Sequence, residues 1–165
     1  MIENLTKLEK PLKIFLGAYL VSILAGLSIG LYYVSYKATL NPSKTAEYYR
    51  GSEAAEGNEL IVENYPKQIE EMLLTTHNHL LGLGFIIFTI GLIFYFNTII
   101  KGVWKNMLMI DPIISLMITF GSIWLVRFVD RSFIYLTYLS SAIMYASLYV
   151  MILVSLYNLM KKEKL

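Results

Sequence analysis

The chain contains no cysteine, which removes disulfides, thiolate metal sites, cysteine nucleophiles and disulfide exchange from its own chemistry. Charge is scarce as well: 16% of the 165 residues are charged and the formal net charge is +2. No cluster of Lys or Arg interleaved with aromatics occurs, which argues against a nucleic-acid partner. A Gly-rich phosphate loop, a Ser-His-Asp set and paired membrane carboxylates are all missing, so hydrolytic or nucleotide-driven catalysis has no candidate residues. Histidine occurs at two positions only, two residues apart.

Hydrocarbon takes the place of these groups. The hydrophobic share is 56%, above the roughly 45–50% of a soluble domain, and it is gathered into runs rather than spread. A hydrocarbon core of about 30 Å needs roughly 20 apolar residues as a helix. Four segments meet that length, at 12–36, 75–96, 112–129 and 133–159. The expected fold class is therefore all-α: residues 1–165 form one four-helix transmembrane bundle, with a single sizeable loop over 37–74 on the far side. The first run exceeds the roughly 7 to 15 residues of a signal-peptide core and reads as a retained span.

Orientation follows from the lysines and arginines of the short flanks, because cytoplasmic segments keep the positive excess. Lys7, Lys10 and Lys13 precede the first span, Lys101 and Lys105 follow the second, and Lys161, Lys162 and Lys164 follow the fourth. The 37–74 loop balances Lys37, Lys44, Arg50 and Lys67 with Glu47, Glu53, Glu56, Glu59, Glu63, Glu70 and Glu71. Both termini are thus expected on the cytoplasmic side and the acidic loop outside. Aromatics at headgroup depth fit that frame: Tyr32, Tyr33, Tyr36, Trp124, Tyr135 and Tyr138 as an outer belt, Tyr95, Trp104 and Tyr157 as an inner one.

Local signals refine the boundaries. Asn41-Pro42-Ser43 and Gly51-Ser52 read as turns. Asn64-Tyr65-Pro66 reads as the start of a helix that begins outside the membrane and runs into span two, with Ile69, Met72, Leu73, Thr76 and Leu80 on one stripe. Asp111-Pro112 repeats that grammar, placing the start of span three at Pro112 with Asp111 as its cap. The stretch from Lys101 to Ile110 then becomes a short interfacial segment. Gly26 and Gly30, in Gly-x-x-x-Gly spacing, are expected to let helices approach closely within the bundle, and Gly82 and Gly84 to thin span two.

The sharpest local feature is Thr75-Thr76-His77-Asn78-His79 at the outer end of span two. Ionisable residues at membrane depth are costly and point to function, and neutral imidazole ligates metals and haem. His77 and His79 are therefore candidate metal or cofactor ligands, for haem b, a metal ion or a quinone. An i, i+2 pair lies about 160° apart on an α-helix and cannot close on one ion, so a second ligand has to come from another residue type, a second copy or a partner chain. A quinone carbonyl needs only one imidazole. The alternative is that both histidines, with Asn78, are interfacial polar residues that orient the bundle. A second polar group joins Arg127, Asp130 and Arg131, between spans three and four, to Arg50 of the loop, with Tyr48 and Tyr49 folding over the same face. The alternative there is a turn held by local ion pairs.

The residues Tyr48-Tyr49-Arg50-Gly51, Tyr65-Pro66-Lys67 and Thr76-His77-Asn78-His79 resemble a pattern in small bacterial four-span inner-membrane proteins, over about 35 residues. There an aromatic-Arg-Gly loop precedes a Pro-Lys helix start and a Thr-His-x-His entry to span two. The resemblance implies a multi-pass protein of a bacterial cytoplasmic membrane, draws attention to His77 and His79, and associates the chain with respiratory or cytochrome proteins. The expected function is an accessory or assembly subunit of an outward-facing redox, metal- or haem-handling complex, with lipid and other membrane subunits or further copies as partners. Two alternatives stand beside it: a non-catalytic structural or partner-binding protein, and a small oligomeric transporter or channel, which would need a polar path through spans that read as apolar.

Overall fold

Backbone in lipid must satisfy its own hydrogen bonds, and a helix does so within one segment. The computed structural model describes residues 4–38, 41–52 and 64–161, and long helices dominate it. In chain order they are α1 (Lys10–Ala38), the short α2 (Pro42–Arg50), α3 (Ile69–Tyr95), α4 (Gly102–Phe128) and α5 (Phe133–Met160), with a 3-10 turn at Leu5–Lys7 ahead of α1. No strand occurs among the described residues. Helices α1, α3, α4 and α5 are long and apolar enough to cross a membrane. At a rise of about 1.5 Å, their length of roughly 40 Å exceeds the hydrocarbon core.

The bundle has two distinct ends. At one, the amide of Leu5 donates to the carbonyl of Phe96 at 3.1 Å, so the start of the chain sits where α3 passes to α4 and where α5 ends. At the other, α2 lies across the tops of α4 and α5, burying Ala46 against Val126 and Ile134. The core between the ends is narrow: Leu20 and Leu27 of α1, Ile87, Ile90 and Phe94 of α3, Leu116 and Phe120 of α4, and Leu148, Met151 and Ile152 of α5.

Between lipid-facing helices the apolar driving force is weak, and association relies on close packing and interhelical hydrogen bonds. Hydroxyls supply those bonds here. Thr119 pairs with Ser140 at 2.8 Å and Ser122 with Thr137 at 2.7 Å across α4 and α5. Trp124 donates to Thr76 at 3.0 Å across α4 and α3. Tyr19 meets Thr89 at 2.7 Å and Ser28 meets Tyr149 at 2.8 Å, tying α1 to α3 and α5.

Several boundaries differ from the sequence expectations. Span three does not start at Pro112: α4 begins at Gly102 and carries Pro112 inside it. Residues 102–110 are therefore helix rather than a separate interfacial segment. Asp111 is not a cap; it accepts from Ser147, midway along α5, at 2.7 Å and from Ser115 at 3.4 Å. The α4–α5 interface is accordingly more polar than the apolar look of the spans suggested. Asn41-Pro42-Ser43 opens α2, with the Asn41 side chain accepting from the amides of Ser43 and Lys44, instead of making an isolated turn. Helix α3 starts at Ile69 with Gln68 as its cap, not at Asn64 or Pro66. Trp124 is turned inward toward Thr76 and stacks on Phe128, so it leaves the aromatic belt, whereas Tyr32, Tyr33, Tyr36, Tyr95, Trp104, Tyr135 and Tyr157 are exposed. Gly26 and Gly30 do not mediate close packing, since a Cβ on either would meet nothing within 4 Å, and the same holds for Gly82 and Gly84. Glu53, Glu56, Glu59, Glu63, Lys162 and Lys164 lie outside the described residues.

Candidate functional site

The short helix α2 builds a cap over one end of the bundle. Its C-terminus stops at Gly51, whose φ of 90° is available to glycine and whose amide closes on the Glu47 carbonyl at 2.7 Å. The chain leading into α3 then doubles back beside it. Ser52 donates its amide to the Asn64 carbonyl at 3.0 Å, Lys67 donates to the Tyr49 carbonyl at 3.2 Å, and the Asn64 amide side chain donates to Glu47 at 2.9 Å. Thr45 and Tyr138 share a hydrogen bond of 2.9 Å. Arg50 donates to the Val126 carbonyl at 3.4 Å and Arg131 to the Gly51 carbonyl at 3.1 Å. Burial pushes the Tyr49 hydroxyl up to about 12, with Tyr48 and Tyr138 adding to the shift, so it stays a neutral donor.

Below this cap α1 leans away from α3, and a cleft of about 1150 Å³ opens between them. Its lower wall is apolar or small, with Ile23, Gly26, Leu27 and Gly30 of α1 facing Leu83 and Ile86 of α3 and Tyr145 of α5. The mouth is polar and lies under α2, where Lys44, Glu47, Tyr48, Asn64, Lys67 and His79 converge. The absence of a Cβ at Gly26 and Gly30 is what keeps the α1 wall recessed. The Lys67 ammonium lies 5.0 Å from the Tyr48 ring centroid and 5.6 Å from that of Tyr49, within cation–π range.

The two histidines fall on different faces, as their spacing requires. His79 lines the cleft, its Nδ1 hydrogen-bonded to the Thr75 carbonyl at 2.8 Å and its ring 5.1 Å from Phe120. With Nδ1 protonated toward that carbonyl, Nε2 carries the lone pair and can accept from a hydroxyl or bind a metal; donation to a quinone carbonyl would need the imidazolium or the other tautomer. His77 and Asn78 are exposed and take no part in the cleft wall. Among the described residues no group of three or more His, Asp or Glu stands close enough to hold a metal ion. Any ligation through His79 would draw its other ligands from elsewhere.

The arginines gather at the α2 end but outside the cleft. Arg50 and Arg131 brace α2, and the guanidinium of Arg127 lies 5.1 Å from the Phe128 ring. The hydroxyl and backbone amide of Ser132 hold the Asp130 carboxyl below its ordinary value, with Arg50 and Arg131 contributing. Arg50, Asp130 and Arg131 thus share a neighbourhood, in which Arg50 and Arg131 donate to the Val126 and Gly51 carbonyls while Asp130 accepts from Ser132. Of the cleft residues, His79, Tyr48 and Tyr49 were singled out by the sequence, whereas Lys44 and Lys67 read as topology signals and Gly26 and Gly30 as packing. The repeating Ser22, Gly26, Gly30 stripe at helical spacing, with no matching small stripe opposite, was the available sign of a recess.

Neither a curated protein nor a solved structure is found to match the chain. A family model does, over residues 39–165, a range that takes in α2, the lead-in to α3 and the three long helices beneath the cap. The chain therefore belongs to the Aq_1264_TM family, described as a transmembrane helical domain.

Proposed function

We propose that this integral membrane protein is a non-catalytic accessory subunit that holds one long amphiphilic molecule in the cleft between α1 and α3, at the extracytoplasmic side of a bacterial cytoplasmic membrane. The single observation that carries the proposal is the cleft itself. It is large, Ile23, Leu27, Leu83 and Ile86 give it an apolar wall, and its charged groups are confined to one end, which is the layout of an amphiphile. Small-molecule sites are commonly about 300–1,000 Å³, so the volume suits something longer than a compact metabolite. The orientation rests on Lys7, Lys10, Lys13, Lys101 and Lys161 at the end opposite α2 and on the positive-inside rule.

A redox version of the same reading makes the occupant a quinol or haem belonging to a larger outward-facing complex, with His79 Nε2 as its contact. The free Nε2 and the tethered Nδ1 favour it. The experiment is to purify the native protein in mild detergent with any companion chains, record its optical spectrum, and extract and weigh what it carries. Wild type and His77→Ala are expected to retain the same molecule, and His79→Ala to lose part of it. A colourless protein that carries no lipid-soluble molecule would remove the proposal.

A further inference from the structure

Among the described residues the lining at the mouth of the cleft carries two lysines and one carboxylate. Lys67 lies against the paired rings of Tyr48 and Tyr49, and neither its ammonium nor that of Lys44 has a carboxylate partner among the described residues. Glu47, the one described carboxylate in the lining, is engaged by Asn64 at 2.9 Å. His79 adds an imidazole whose Nδ1 is tied to the Thr75 carbonyl and whose Nε2 has no partner among the described residues. Beneath these groups the α1 wall runs from Ser22 to Val34, about 18 Å at helical rise. That length is close to one leaflet, about half of a 30 Å hydrocarbon core.

We infer that the occupant is a glycerophospholipid with an anionic headgroup, its phosphate set against Lys44 and Lys67 and one acyl chain laid along the Gly26 and Gly30 recess. This rests on the cleft holding an amphiphile, and it adds the charge and the class. Phosphate suits the site because two ammoniums with no carboxylate partner among the described residues attract it and because the Tyr49 hydroxyl remains a neutral donor beside them. The wall suits acyl methylenes because Gly26 and Gly30 leave van der Waals space opposite Leu83 and Ile86. A zwitterionic headgroup would bring its own cation to two lysines and gain less.

The test uses the full chain reconstituted in vesicles of equimolar phosphatidylglycerol and phosphatidylcholine with identical acyl chains, released gently and weighed intact by native mass spectrometry. Wild type is expected to retain phosphatidylglycerol in preference. Lys44→Ala and Lys67→Ala should each cut that preference about fivefold, the scale of one lysine near an anionic surface, while Lys67→Arg keeps it. Filling the recess with Gly26→Leu and Gly30→Leu should remove both lipids while circular dichroism keeps its helical signal. Equal retention of the two lipids, or a preference untouched by both alanine variants, overturns the headgroup assignment; if the leucine variant still sheds both lipids, the cleft itself stands. Wild type released without lipid, or as a lipid-free dimer joined through the recess, overturns both.

Discussion

At Gly51 the backbone leaves α2 with φ of 90°, and a Cβ there would stand 3.0 Å from Pro66 N, Cγ and Cδ. Two penalties would coincide, since an L side chain resists that backbone region and the ring of Pro66 belongs to the strand of chain that closes the cap. Gly102 isolates the first penalty, because its φ is 63° and nothing lies within 4 Å of an added Cβ. Gly51→Ala is expected to lower stability by about 1–3 kcal/mol, and Gly102→Ala by about 1 kcal/mol, measured by thermal or denaturant unfolding in one detergent. Equal losses would mean that Pro66 yields freely. The sequence registered Gly51 as a turn residue, but no local pattern says that Pro66, fifteen positions later, packs on it. In the same way the sequence marked Tyr48 and Tyr49 as neighbours, whereas the ammonium beside their rings comes from Lys67 and required the doubled-back chain to be seen.

Helix α4 carries the largest difference between expectation and structure at the scale of an element. Asp followed by Pro is a sound start signal in water, where an interior proline costs about 3 kcal/mol. In a membrane, proline is tolerated inside helices because neighbouring helices and hydroxyl side chains re-satisfy freed groups. The charge within residues 101–110 is accommodated without ending the helix: Lys105 reaches back to the Asn97 carbonyl at 3.4 Å and lies 4.9 Å from the Tyr95 ring. It keeps its ammonium at the bundle end while its stem runs along the helix. Asp111 is then drawn inward to Ser147 and Ser115 rather than spent on a cap. Amide hydrogen exchange of the protein in nanodiscs should show residues 106–111 protected to the same degree as 114–124. Exchange at the rate of a frayed segment over 106–111, with protection beginning past Pro112, would restore the shorter span and break the Asp111–Ser147 pairing.

For the whole molecule, the number of spans and their pairing as a bundle were readable because membrane thickness sets a length that four runs meet. The cleft was not, and its cause is global. Helix α1 is apolar on every side, so periodicity gives no preferred face, and its contacts are decided by Tyr19 with Thr89 and Ser28 with Tyr149. The Tyr19 contact pins α1 to α3 only at the end remote from α2, which leaves the other end free to lean outward and open the mouth. The same division of ends bears on which leaflet the cleft faces. Lys7, Lys10, Lys13, Lys101, Lys105 and Lys161 share one end with Glu9 as the sole described carboxylate, whereas Lys44, Arg50, Lys67, Arg127 and Arg131 share theirs with Glu47, Glu70, Glu71 and Asp130. The proposed orientation, which rests on the positive-inside rule, puts the first end in the cytoplasm and the mouth of the cleft on the far side. Because the chain has no cysteine, single cysteines report topology without background. Ser43→Cys, exposed on α2, should react with a membrane-impermeant maleimide in intact cells, and Met160→Cys, exposed at the end of α5, only after permeabilisation. The reverse pattern would turn the bundle over and place the anionic lipid in the cytoplasmic leaflet, where the same two lysines would meet a more negative surface.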